Sequence, residues 1–308
     1  MDSVENFDVR SKVSPGDILS LLDDEPPLDG EPMENIFEDF KKKIIPGMTH
    51  WQHPSFFAYF PANSSPPSVL AEMLTSTLGA QCMLWQTSPA ATEMETRITG
   101  WLQKMTGLPT DLHGVIQDSA SSATLCALLT AREKATDWRT NKEGMNSLSS
   151  SLIVYTSEEA HSSTEKGAKI AGFGKDSVRL IRTGNNFEMC PEALRRNVVE
   201  DISNGYTPAC VVASMGTTGV GATDPLKAIG QLCKEYEIFL HVDAAWAGSA
   251  LILPEERRMA EGIEMADSIV FNPHKWLLTN FDCSAHYVKQ PELLIRTLSI
   301  LPEYLKSR

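Results

Sequence analysis

From residue 152 to residue 288, short apolar runs alternate with longer segments of helical spacing. LIVY at 152–155 precedes a helical pattern over 161–171, VRLI at 178–181 one over 191–203, and CVVAS at 210–214 one over 225–235. IFLHV at 238–242 is followed by the strand-like SIVF at 268–271, and CSAHYV at 283–288 comes close enough behind to run antiparallel. Apolar runs of this length, bounded by turn residues, read as strands buried on both faces, and the helical periods supply the crossovers. The pattern predicts an α/β fold with a mostly parallel central sheet and helices on both faces. Further helices are predicted over 68–80, 90–105 and 121–136, and Asp137 to Ser151 reads as a polar surface loop.

The start of the chain follows another rule. Residues 1–33 are acidic and rich in Pro and Gly, with PPLDGEP at 26–32, and read as an extended arm. A helix over Met33–Ile44 is stopped by Pro46 and Gly47. THWQHPSFFAYFPANSSPP at 49–67 is aromatic but too punctuated by proline for a central strand, and such a stretch either covers a core or lines a pocket. The expected organisation is an N-terminal arm and helix over 1–48 and one large domain over 49–308.

Composition narrows the function. A formal charge of -13, with KKK at 41–43 as the one basic run, argues against a nucleic-acid partner. No apolar run reaches the length of a membrane span, and MDSVENFDVR lacks the apolar segment of a signal peptide, so a cytoplasmic chain without membrane contact is expected. Six cysteines without CxxC spacing indicate reduced thiols rather than a disulfide or zinc framework. His50 and His53 have no acidic or thiol companions, so no metal is expected.

In open α/β sheets ligands bind beyond the carboxyl ends of the strands. Chemistry-bearing residues stand in those places here. His161 follows LIVY, Thr217 and Thr218 follow CVVAS, Asp243 closes IFLHVD, and Lys275 lies in NPHK after SIVF; Ser119 and Ser121 stand where VIQ gives way to a helix. Singly, most have a plain structural reading: the serines and Asp243 as helix caps, His161 as a satisfied histidine, the threonines as turn formers. Lys275 resists that reading, because its flanks are apolar and burying an unpaired amine costs on the order of several kcal/mol. Together they satisfy one chemistry. A lysine of lowered pKa bonds a carbonyl carbon, and an aspartate at a strand end keeps a pyridinium nitrogen protonated. A histidine stacks on the ring, and N–H and hydroxyl groups at a helix start take a phosphate. That set describes pyridoxal 5'-phosphate.

At these positions the chain resembles a known family. HVDAAWAG, NPHKW, SPAATEME, AHSS and FFAYFP are similar to signature segments of the pyridoxal-phosphate-dependent group II amino acid decarboxylases, in particular the aromatic-L-amino-acid decarboxylases. The resemblance runs from about Pro32 to the last residue and implies a fold type I enzyme. It implies that Lys275 is the Schiff-base lysine, Asp243 the partner of the pyridine nitrogen with Ala245 packed near the ring, and His161 the imidazole on the cofactor face. Thr218 matches a residue near the ring substituents, Ala120 and Ser121 the phosphate cradle, and Asn272 a further phosphate ligand. His274 matches a residue that positions substrate and cofactor. Trp51, Tyr59, Phe60 and Pro61 match the side-chain pocket of the aromatic branch, and Met83 lies in a segment near it.

The reaction so implied is decarboxylation of an aromatic L-amino acid to its amine and carbon dioxide, in a homodimer. The family's pattern continues past Glu303–Arg308 into a loop that bears a tyrosine proton donor and then a small C-terminal domain. That domain is therefore expected to be missing and the activity of this chain impaired. Asp118 stands where many relatives have glycine, and Ser122 where they often have glutamate; Asp118 is expected to face away from the phosphate. Two rival readings are an aldehyde-forming or transaminating pyridoxal-phosphate enzyme, against whose aldehyde-forming variant His161 argues, and a non-catalytic remnant acting through subunit association.

Overall fold

The apolar runs become one seven-stranded sheet. Its strands are β1 (His113–Gln117), β2 (Leu152–Ser157), β3 (Val178–Ile181), β4 (Thr207–Ser214), β5 (Phe239–Asp243), β6 (Ser268–Phe271) and β7 (Ser284–Val288), in the spatial order β1-β7-β6-β5-β4-β2-β3. Strands β2 to β6 pair in parallel, while β7 runs antiparallel to both β6 and β1. Strand β1 therefore points the same way as β6 and ends at the same edge. HGVIQ carries two large apolar residues in five, too weak a signal to mark it as a strand in advance. The computed structural model describes residues 4–60, 62 and 64–300.

The helices are α1 (Met33–Asp39), α2 (Pro66–Leu78), α3 (Pro89–Thr106), α4 (Ala120–Ala135), α5 (Arg139–Glu143), α6 (Ser163–Ile170), α7 (Pro191–Ser203), α8 (Leu226–Glu235), α9 (Pro273–Trp276) and α10 (Pro291–Leu298). Helices α2, α3, α7, α9 and α10 begin with proline, whose fixed φ suits a first turn and whose missing N–H is not needed there. Alternate residues of the central strands feed two cores. Ile153, Tyr155, Val211, Ala213, Leu240 and Val242 pack with Leu194 and Val198 of α7 and Ile229 and Leu232 of α8. Val154, Cys210, Val212 and Phe239 pack with Ala127, Leu128 and Ala131 of α4 and Ala168 of α6. Burial on both faces is why these strands read as unbroken apolar runs. The expected polar loop over 137–151 instead contains α5. Its Asn141 N–H donates to the buried carboxylate of Glu133 at 3.0 Å, which also takes Arg132 Nε at 2.9 Å, so an acid on α4 recruits a helical turn.

Met1–Asn63 forms a separate unit from Ser64–Arg308. Within the first unit α1 runs on into a π-type turn, Phe40–Ile44. Trp51 stacks on Phe56 and Tyr59 at 5.3 and 5.2 Å between centroids and meets Phe60 edge-on at 5.2 Å. The aromatic residues that follow 49 thus group with the leading arm. Pro61 lies outside the described residues. Among the described residues no helix is long and apolar enough to cross a membrane.

Two fully buried histidines set a pH dependence. His241 of β5 holds Ser268 Oγ at 2.7 Å and Thr124 Oγ1 of α4 at 3.2 Å, and His286 of β7 takes Gln117 Nε2 at 2.9 Å. Burial pushes His241 well below its ordinary value and His286 down to about 4. Between the ordinary 6.5 and about 4, the unfolded chain binds a proton at residue 286 that the folded chain refuses. Stability present above pH 6.5 is then lost on acidification, by about 3 kcal/mol for His286 alone. Asp224, raised by burial to about 6, works in the opposite sense, because the folded chain protonates it first. Comparison with His286→Gln isolates the histidine: urea unfolding at pH 7 and pH 4.5 is expected to show a smaller acid loss in the variant. Equal losses rule the assignment out.

Candidate active site

Asp243 is the last residue of β5, in register with Ser214 of β4 and Val270 of β6. It is 8% exposed, and its Oδ1 accepts the Ala245 N–H at 3.0 Å. Burial raises this carboxyl above its usual range, while the Ala245 N–H and the charges of Lys275 and His161 pull it back. Beyond β6, the Asn272 N–H donates to Ala245 O at 3.0 Å and ties the two loops together. Pro273 then opens α9, a single turn in which the Lys275 N–H donates to Asn272 O at 2.9 Å. Burial lowers the Lys275 amine, with the Asp243 carboxylate acting against it. The amine and the acid therefore stand at the ends of adjacent parallel strands, at one edge of the sheet. Trp246 and Trp276, next to these residues in sequence, stack at 5.2 Å with 3° between planes and clamp one loop to the other.

His274 is 2% exposed. Its Nδ1 accepts the Cys283 N–H at 2.8 Å, its own N–H donates to Cys283 O at 3.3 Å, and its ring lies 4.4 Å from that of Phe281. Burial lowers its pKa, the Lys275 charge adds to that, and Asp282 opposes it. A neutral imidazole thus pins α9 to the entry of β7. Asn272 is buried too, with its amide engaged by Ser284 Oγ at 2.7 Å and facing His274 Nε2 at 3.3 Å.

Helix α4 begins against the same place, since Ala120 and Ala123 cluster with Val270 and Ala245. Ser119 caps it by accepting the Ser122 N–H at 3.2 Å, and the Ala123 N–H bonds Ser119 O at 3.1 Å. The N–H groups of Ala120 and Ser121, first and second in the helix, have no intrahelical acceptor. Ser121 is exposed beside them. The Asp118 Oδ2 accepts Ser119 Oγ at 2.9 Å and Ser122 Oγ at 3.0 Å on this turn.

His161, after β2, is exposed. Its Nδ1 accepts the Ser163 N–H at 3.2 Å and meets Ser163 Oγ at 2.7 Å. In the loop after β4, Thr217 is buried and takes the Ala222 N–H on Oγ1 at 3.0 Å, so it shapes the turn while Thr218 stays exposed. Gly216 has φ +83, and a Cβ there would lie 2.5 Å from Ala247 Cβ; glycine lets this loop close on the one after Asp243. Asp224 was not picked out from the sequence. It accepts the Met189 and Ser214 N–H groups, each at 2.7 Å, and fixes the far end of the same loop. ATDP signals only a turn.

The carboxyl edge therefore gathers Ala120, Ser121, His161, Thr218, Asp243, Ala245, Asn272, His274 and Lys275 at the ends of β1, β2, β4, β5 and β6. Trp51, Tyr59 and Phe60 belong to the first unit, and Met83 is 71% exposed between α2 and α3. The chemistry of the gathered groups fits pyridoxal phosphate. Among the described residues, two donors without acceptors suit a phosphate, a buried carboxylate with one N–H partner suits a ring nitrogen, and a partly buried amine suits an aldehyde. The pyridoxal-dependent decarboxylase conserved domain matches residues 15–308. The chain belongs to that family.

Tyrosine decarboxylase 4 of Petroselinum crispum is 43% identical over 99% of this chain and 60% of its own length. A phenylacetaldehyde synthase of Arabidopsis thaliana is 43% identical over 99% of the chain and 63% of its own. The crystal structure of Oryza sativa TDC with PLP and tryptamine superposes with a TM-score of 0.95 at 36% identity, over 100% of this chain and 64% of that one. This decarboxylase-family chain thus has the fold type I architecture and spans about three fifths of the length of the curated relatives it matches.

Proposed function

We propose that this chain binds pyridoxal 5'-phosphate at the carboxyl edge of its sheet and serves in the decarboxylation of an aromatic L-amino acid to its amine and carbon dioxide. One observation carries the reading: Asp243 ends β5, Lys275 follows the adjacent parallel strand β6 by four residues, and the Asn272 N–H to Ala245 O bond joins the two loops at that edge. When bound, the cofactor supplies an aldehyde carbon for amine exchange and a ring that accepts the electron pair left as carbon dioxide departs. Lys275 offers an amine that burial brings towards its unprotonated, nucleophilic form. Asp243 would hold a proton on the ring nitrogen of the cofactor. His161 would cover a ring face of the cofactor and serve the proton transfers. His274 and the tryptophan stack keep the lysine turn still. Ala120 and Ser121 take the phosphate, with Thr218 and Asn272 near it.

The aromatic substrate class rests on the tyrosine-decarboxylase relative. Under this reading Trp51, Tyr59, Phe60, Pro61 and Met83 are the candidates for contact with the substrate's ring, and the working unit is a homodimer in the cytoplasm. The phenylacetaldehyde synthase at 43% identity favours a second reading, in which the same site releases an aldehyde. The test is reconstitution with pyridoxal phosphate, borohydride treatment, and product analysis with tyrosine, dihydroxyphenylalanine, tryptophan and phenylalanine. Amine and carbon dioxide in equal amounts are expected. Aldehyde in place of amine selects the second reading, and no borohydride-fixed cofactor on Lys275 removes both.

A further inference from the structure

The start of α4 carries a charge that the cofactor reading does not use. A capping box pairs an N-cap Ser or Thr with Glu or Gln three residues later. Here the N-cap is Ser119 and the third residue is Ser122, so the carboxylate comes instead from Asp118, on the position before the cap. Both hydroxyls donate to its Oδ2, Ser119 at 2.9 Å and Ser122 at 3.0 Å. Burial works against the charge, yet these hydroxyls and the N–H groups of Asp118 and Ser119 hold the carboxyl below its ordinary value. An anion is therefore already in place at this helix end at neutral pH.

Resting on the reading above, we propose that Asp118 is a built-in counter-anion at the phosphate cradle, lowering affinity for the phosphate of the cofactor and so easing its release. The positive end of a helix is equivalent to about half an elementary charge, and one carboxylate is enough to offset it. A phosphate arriving at the Ala120 and Ser121 N–H groups meets that carboxylate across a single helical turn. The first turn packs against Ala245 and Val270, so the helix end that bears the charge lies at the same sheet edge as Asp243 and Lys275. Only the phosphate senses it. Pyridoxal, which lacks the phosphate, does not.

The experiment measures dissociation constants of pyridoxal phosphate and of pyridoxal, with inorganic phosphate as a competitor, for the unaltered chain, Asp118→Asn and Asp118→Gly. Asparagine keeps an acceptor for the serine hydroxyls and removes the charge; glycine removes both, and thermal midpoints check that each variant folds. Pyridoxal phosphate is expected to bind about tenfold more tightly to both variants. Inorganic phosphate is expected to compete at lower concentration, pyridoxal to bind as before, and the gain to shrink at high salt. Unchanged affinity for pyridoxal phosphate in both variants overturns the proposal, as does an equal gain for pyridoxal. If pyridoxal phosphate binds none of the three chains, the cofactor reading itself has failed.

Discussion

Lys275→Met is expected to abolish borohydride fixation of pyridoxal phosphate and to cut amine formation by roughly 10²–10⁴, the range for losing a positioned proton-transfer group. Two other lysines near the sheet are engaged elsewhere. Lys134 pairs with Asp267 and Lys289 with Asp111, each at 3.2 Å, and Asp267 immediately precedes β6, at the amino edge of the sheet. The variant also has a signature that needs no turnover. Asp243 is buried and draws part of its compensation from the Lys275 charge, so removing the amine leaves an acid that favours protonation more strongly. Unfolding of the cofactor-free variant is expected to show a loss of about 1–3 kcal/mol. Adding Asp243→Asn is expected to recover most of it, since groups that share one charge balance are not additive. A borohydride adduct that survives on another lysine, or strictly additive stabilities, refutes the pairing.

What the sequence reveals of this molecule follows how local the determining forces are. VRLI matches the edge strand β3 although its Leu180 is exposed, and SIVF matches β6 residue for residue, because a strand buried on both faces advertises itself as a continuous apolar run. β1 does not, with Gly114 and polar residues at both ends. The helix ends are readable where proline marks a first turn, as at Pro191 and Pro273. The aromatic stretch after residue 49 is a different case. Its rings satisfy one another across irregular spacings, so no period announces which body they join. In the site, the rule that chemistry follows strand ends found Asp243, Lys275 and His161. It could not tell Thr217, which locks the turn, from Thr218, which faces solvent. Nor could it find Asp224 or the Trp246–Trp276 stack. Those roles are set by how loops from distant strands fold over each other, and adjacent residues in the chain do not encode that. Asp118 shows the same limit: the two neighbouring hydroxyls that hold it could not be assigned from the sequence.

Asp243→Asn is expected to separate catalysis from stability. Asparagine has the shape of aspartate and keeps an oxygen for the Ala245 N–H, now at 3.0 Å. What it lacks is the negative charge that holds a proton on the ring nitrogen. Removing one preorganised electrostatic group of this kind lowers turnover by roughly 10²–10³. The cofactor-free protein is expected to respond in the other direction. The wild-type carboxylate is buried with a single N–H donor among the described residues, and burial already raises its pKa. A neutral amide relieves that cost, so the thermal midpoint of the cofactor-free variant should equal or exceed that of wild type. This is the pattern of a residue kept for chemistry at the expense of stability. A structural role for Asp243 as a cap of the following turn makes the opposite forecast: a lower midpoint with turnover and cofactor affinity intact. Paired measurements of midpoint and product formation on this one variant decide between the two roles, because no single loss of folding produces a more stable protein that has stopped working.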